Sequence, residues 1–114
     1  MMLQKEEVVF VMEHRLMESQ LRRHFVGRVR ACTEQAVRVE GYLFIYDSNH
    51  GTYFRKKRSQ TRIIPLVDSR LSIMVLPEKT DLDNICYFEH PDGGLVVTDG
   101  REFELDVSEF SNLR

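Results

Sequence analysis

Four cations stand side by side at Arg55-Lys56-Lys57-Arg58, and Arg62 follows. Tyr42, Phe44, Tyr46, Tyr53 and Phe54 precede them. Cations neutralise phosphates and aromatic faces stack on bases, the combination by which single-stranded nucleic acids are held without groove readout. The bland alternative is a solvated basic loop whose neighbouring aromatics fill a core. Arg22-Arg23 either adds to this basic rim or complements the C-terminal end of a preceding helix.

Signatures of catalysis are missing. There is no Gly-rich phosphate loop, no Gly-x-Ser-x-Gly, no His-Glu-x-x-His and no Cys-x-x-Cys. The histidines at 14, 24, 50 and 90 are scattered, and a catalytic site would need the fold to gather groups such as His50, Asp47 and Cys86. Cys32 and Cys86 have no His or Cys at metal-ligand spacing, so neither a metal site nor a cofactor is expected. Two thiols without a disulfide framework suit a reducing, cytoplasmic compartment.

The elements that must position these groups belong to a chain of 114 residues, the size of one domain, spanning 1–114. Hydrophobic residues make up 42% and charged residues 30%, which argues for a packed core rather than disorder. The net charge of −2 is unevenly laid out. Residues 1–77 carry 13 Lys/Arg against 8 Asp/Glu, and residues 78–114 carry 3 against 10. Such a polarity suits anion binding or head-to-tail association, or it is merely two solvated faces. No run reaches the roughly 18 apolar residues of a membrane span. Lys5-Glu6-Glu7 is not the basic start of a signal peptide, so none is expected.

Residues 8–23 place Val8, Val9, Met12, Leu16 and Leu21 near helical spacing and predict a helix, firmest over 12–23. The β-prone Val8-Val9-Phe10-Val11 leaves a short strand open over residues 7–11. Strict alternation then predicts a strand over 25–31 and a long one over 37–46, with Gly41 at its middle. Asp47-Ser48-Asn49-His50-Gly51 is a turn by composition. Further strands are expected over 52–58, 61–67 and 71–76, with turns at Asp68-Ser69 and Pro77. A helical turn capped by Thr80 or Asp81 precedes a three-stranded meander over 85–107, punctuated by Pro91-Asp92-Gly93-Gly94 and Asp99-Gly100.

The stretch Gly41-Tyr42-Leu43-Phe44-Ile45-Tyr46-Asp47 resembles the Gly-x-Leu-x-x-aromatic-Asp motif of the Sm-like superfamily, the Sm proteins and bacterial Sm-like RNA chaperones. Leu16 and Leu21, then Val26-Gly27-Arg28-Val29-Arg30, sit where that superfamily has its leading helix and first strand. The resemblance spans residues 12–77. It implies a mainly β fold in which an N-terminal helix leads into a small, strongly bent Sm-like β-barrel, here with a C-terminal β-meander over 78–114. It also implies ring-like homo-oligomers, with Tyr46, Asp47 and Asn49 in an RNA pocket loop. The family's Asn four residues after the Asp falls on Gly51, and Asn49 lies two residues after it. The second family motif is absent, since Arg70 runs straight into Leu71-Ser72.

The expected function is therefore non-catalytic binding of single-stranded RNA by an oligomer. Tyr46, Asp47 and Asn49 form the pocket, and Arg55, Lys56, Lys57, Arg58 and Arg62 are phosphate contacts. Two other classes stay open: a protein-interaction or scaffold module without nucleic acid, and a small enzyme. The absent second motif favours the interaction module.

Overall fold

The computed structural model of the chain describes residues 2–14, 22–67 and 70–107. Their secondary structure is almost wholly β: β1 (Val8–Glu13), β2 (Arg23–Cys32), β3 (Ala36–Asp47), β4 (Thr52–Arg55), β5 (Gln60–Pro65), β6 (Leu71–Leu76), β7 (Cys86–Glu89), β8 (Leu95–Thr98) and β9 (Glu104–Asp106). A 3-10 turn at Leu82–Asn84 is the one helical element among the described residues. Asp81 caps it, accepting the Asp83 amide. No helix among them is long and apolar enough to cross a membrane.

The helix expected over residues 8–23 is not formed. Residues 8–13 are a strand, residue 23 opens another, and residues 15–21 lie outside the described residues. The reason lies in residues 8–11, all of them buried. Val8 and Phe10 join one hydrophobic cluster, and Val9 and Val11 join another. A β-strand sends alternate side chains to opposite faces, so an unbroken apolar run satisfies a strand covered on both sides. A helix would need one apolar stripe and one wet face. Each such side chain contributes about 1.5–3 kcal/mol on burial.

The expected closed barrel is not formed either. β1 to β6 make an open antiparallel sheet in the order β4-β3-β2-β1-β6, with β5 also paired to β3. β3 is long enough for two partners on one edge: β5 takes residues 36–41 and β4 takes residues 44–47. Among the described residues no ladder joins β6 to β4 or β5, so the sheet keeps two margins. Gly41 still has a structural task. It stands opposite Gly27 in the β2–β3 ladder, where a Cβ would fall 2.0 Å from the Val26 carbonyl oxygen. The two backbones approach too closely there for any side chain.

The C-terminal meander β7-β8-β9 forms a second antiparallel sheet, as alternation and its two turns predict. It covers one face of the first sheet. Ile85, Val97 and Val107 share a core with Val8, Phe10, Val26, Phe44, Tyr53 and Leu76. Glu89, Glu102, Glu104 and Asp106 point outward. The buried Asp99 holds the meander's second turn by accepting the amides of Arg101 (2.9 Å), Glu102 (2.7 Å) and Phe103 (3.3 Å), and also that of Asp81 (2.9 Å). Burial raises the pKa of this carboxyl, but the four amides outweigh it and lower the pKa to about 2.

Two glycine substitutions separate crowding from backbone strain. Gly41→Ala drives a methyl into backbone and should cost about 3 kcal/mol in urea denaturation. Gly51→Ala meets nothing within 4 Å but keeps a φ of +68°, and should cost about 1 kcal/mol.

Candidate functional site

Asp47 ends β3 and opens the turn to β4. Its backbone oxygen accepts the amides of His50 and Gly51, and its carboxylate accepts the Asn49 amide at 2.9 Å. The other carboxylate oxygen lies 2.9 Å from His50 Nδ1. The hydrogen bond from His50, then that from Asn49, lowers the Asp47 pKa. These contacts make Asp47 the clasp of the turn, and its negative charge opposes any phosphate brought close. Asn49 sits exposed at the tip, its own amide bound back to Asp47.

β4 then presents its side chains alternately. Tyr53 turns inward and stacks on His24 (ring centroids 4.1 Å apart) and on Tyr87 (4.8 Å). His24 Nδ1 lies 2.8 Å from the Tyr87 hydroxyl, and the Phe10 ring closes the group at 4.9 Å. Phe54, the next residue, must point the other way. The residue is 50% exposed, stands opposite Ile45 on β3 and meets the His50 ring edge to face at 5.4 Å. The buried stack thus fixes a strand whose outward face carries a bare aromatic ring.

The cations follow directly. Arg55, the last residue of β4, lies over the Tyr42 ring at 4.5 Å and donates to the Asp83 carbonyl. Residues 56–59 bridge β4 to β5, and the Lys56 amide donates to the Leu43 carbonyl at 2.8 Å, tying the bridge to β3. Among the described residues no carboxylate pairs with Lys56, Lys57 or Arg58, and all three are exposed. Tyr46 is half-buried beneath the Arg22 guanidinium, 4.2 Å above its ring. Tyr46, Asp47, Phe54, Arg55 and residues 56–58 line one open cleft of about 940 Å³.

Arg62 is not part of it. It lies over Phe25 at 5.7 Å and lines a separate cleft of about 180 Å³ with Glu13 and Arg23. Asn49 also falls outside the larger cleft's lining. Conversely, Phe54 belongs to the site, although the sequence offers it only as one of five aromatics near the cations and not among the expected site residues. The signal was available: in a strand Thr52–Arg55, neighbouring Tyr53 and Phe54 cannot both face the core.

Other groups that could do chemistry remain apart. Cys86 is exposed on β7 and makes no hydrogen bond to Asp47 or His50. Among the described residues, no three His, Cys, Asp or Glu side chains gather as metal ligands would. The chain matches no protein-family model, no curated protein and no solved structure.

The stack behind the cleft makes stability depend on pH. Burial first, then the charges of Arg22 and His14, lowers the His24 pKa from 6.5 to about 3. The unfolded chain therefore takes up a proton that the folded chain refuses. Stability should fall as pH drops from 6.5 towards 3, by up to about 1.4 kcal/mol per pH unit. Urea denaturation at pH 7, 6 and 5 should show this slope above the range where Asp47 and Asp99 protonate. His24→Phe should flatten it.

Proposed function

We propose that the chain binds single-stranded RNA along the β3–β4 hairpin and catalyses no reaction on it. The observation that carries this reading is a half-exposed Phe54 ring beside Lys56, Lys57 and Arg58, three cations with no carboxylate partner among the described residues, on one open cleft. Cations held on a short bridge between strands can follow a phosphate backbone. An exposed ring fixed by the strand beneath it offers a base a stacking surface at little entropic cost. Arg55 adds a charge already oriented by Tyr42. An acidic polypeptide would meet the same cations, but it would leave Phe54 without a flat partner.

The reading gives each residue of the cleft a role. Residues 55–58 contact phosphates, Phe54 stacks, Tyr46 forms the floor, and Asp47 shapes the turn without touching the ligand. Asp47 is therefore a positioning residue, and Asn49 and Arg62 are peripheral.

Fluorescence anisotropy with short U-rich RNA, its duplex form and an acidic peptide, over a salt series, tests this. Single-stranded RNA should bind tightest. The Arg55/Lys57/Arg58→Ala variant should reduce the slope of log affinity against log salt by about 2, near 0.7 for each lost phosphate contact. Phe54→Ala should cost roughly 1–3 kcal/mol while leaving that slope unchanged. Absence of RNA binding at low salt, or equal binding of the acidic peptide, would sink the reading.

A further inference from the structure

Ser59 follows the cation run directly, so the chain reads Arg55-Lys56-Lys57-Arg58-Ser59. Serine/threonine kinases with acidic substrate grooves choose hydroxyls that have basic residues just before them in the chain, because those charges pair with the kinase's carboxylates. The fold decides whether such a hydroxyl can be reached. Ser59 lies on the bridge between β4 and β5, outside both ladders, and is exposed. β5 takes up its pairing with β3 one residue later, at Gln60 opposite Gly41. Among the described residues the Ser59 hydroxyl makes no hydrogen bond, and a single backbone bond, from the Lys56 amide to the Leu43 carbonyl, ties residues 56–59 down.

The neighbouring hydroxyls fail the same test. Thr61 also has Arg58 three residues before it, but it stands in the β5 ladder opposite Glu40. Thr52 is paired with Asp47 in the β4 ladder, and Ser48 follows Asp47 rather than a cation.

We propose that Ser59 is a phosphorylation site for a kinase selective for basic substrates, and that its phosphate blocks RNA at the cleft. The inference rests on the RNA reading above. In the transfer, Ser59 Oγ attacks the γ-phosphorus of Mg-ATP. The bond from that phosphorus to the β–γ bridging oxygen breaks, ADP leaves, and the hydroxyl proton passes to the kinase's catalytic carboxylate. Lys56, Lys57 and Arg58 carry three positive charges and have no carboxylate partner among the described residues. Phosphoserine brings a charge of about −1.5 to −2 at pH 7, enough to offset half or more of theirs. Arg58 is its chain neighbour, and a guanidinium can take two phosphate oxygens at once. The phosphate thus competes with RNA for the same cations, and being covalently attached it is always at hand. Ser59 itself does not line the cleft, so the unmodified hydroxyl has no part in holding RNA.

Treating the full chain with Mg-ATP and the catalytic subunit of the cyclic-AMP-dependent protein kinase, then locating the modified residue by tandem mass spectrometry, tests the site. The expected result is phosphate on Ser59, abolished by Ser59→Ala. In anisotropy with the U-rich RNA, Ser59→Ala should bind as the unmodified chain does. The phosphorylated chain should bind at least about tenfold more weakly at low salt, its slope of log affinity against log salt reduced by about 1 to 1.4, near 0.7 for each cation taken up. Phosphatase treatment should restore both values. RNA binding by the unmodified chain is measured first, and its absence sinks the reading of the cleft and the switch with it. Where the unmodified chain binds, failure of transfer to Ser59, or transfer that leaves RNA affinity unchanged, overturns the proposal while the cleft keeps its role.

Discussion

Residues 8–11 have to be dry on both sides at once, and the architecture is arranged around that demand. β1 is flanked by β2 and β6 within its sheet, so its backbone is fully bonded. Above it the meander closes over Val8 and Phe10, and below it Phe25, Val29, Val39 and Ile64 close over Val9 and Val11. Remove the meander and one set of side chains is wet. Unroll the β3–β5 pairing and the other set is. The acidic C-terminal segment is thus a lid required by a strand near the N-terminus.

The demand also explains what could and could not be read from the chain. Strands β2, β3 and β6 and the meander show in alternation and turn residues, because those signals are local. The helix expected over residues 8–23 was drawn from spacing that is real, yet the same residues satisfy a doubly buried strand better. Only the presence of a second sheet decides between the two, and a single run of residues does not announce it. The Sm-like barrel failed for a related reason. Gly41 does mark a close backbone approach, but whether the sheet then closes depends on where β5 and β6 come to lie, and the motif at residues 41–47 says nothing of that. In the site, residues 55–58 were legible as charge, whereas Arg62, close in sequence, belongs to another surface because β5 pairs with a different stretch of β3 than β4 does.

Core and cleft are coupled through one dipeptide. Tyr53 is held between His24 and Tyr87, a stack that stays neutral because burial disfavours the imidazolium. Alternation then leaves Phe54 nowhere to go but outward. The exposed ring is therefore fixed by packing on the far side of its strand, and the entropy of ordering it is largely met during folding. Asp47 contributes in the same indirect way. Its carboxylate holds the turn that sets where β4 begins, and its charge makes it a poor neighbour for an anion.

The sheet's two margins differ in a way that separates their uses. The β4–β5 margin is short, cationic and interrupted, which resists strand addition and suits a polyanion. The β6 margin is regular, neutral and apolar, which resists a polyanion and suits a strand. β3, β2 and β1 separate them along the strand order, yet the sheet curls until Arg62, Ile63, Ile64 and Pro65 of β5 line one cleft with Leu71 of β6, an approach that no ladder among the described residues completes.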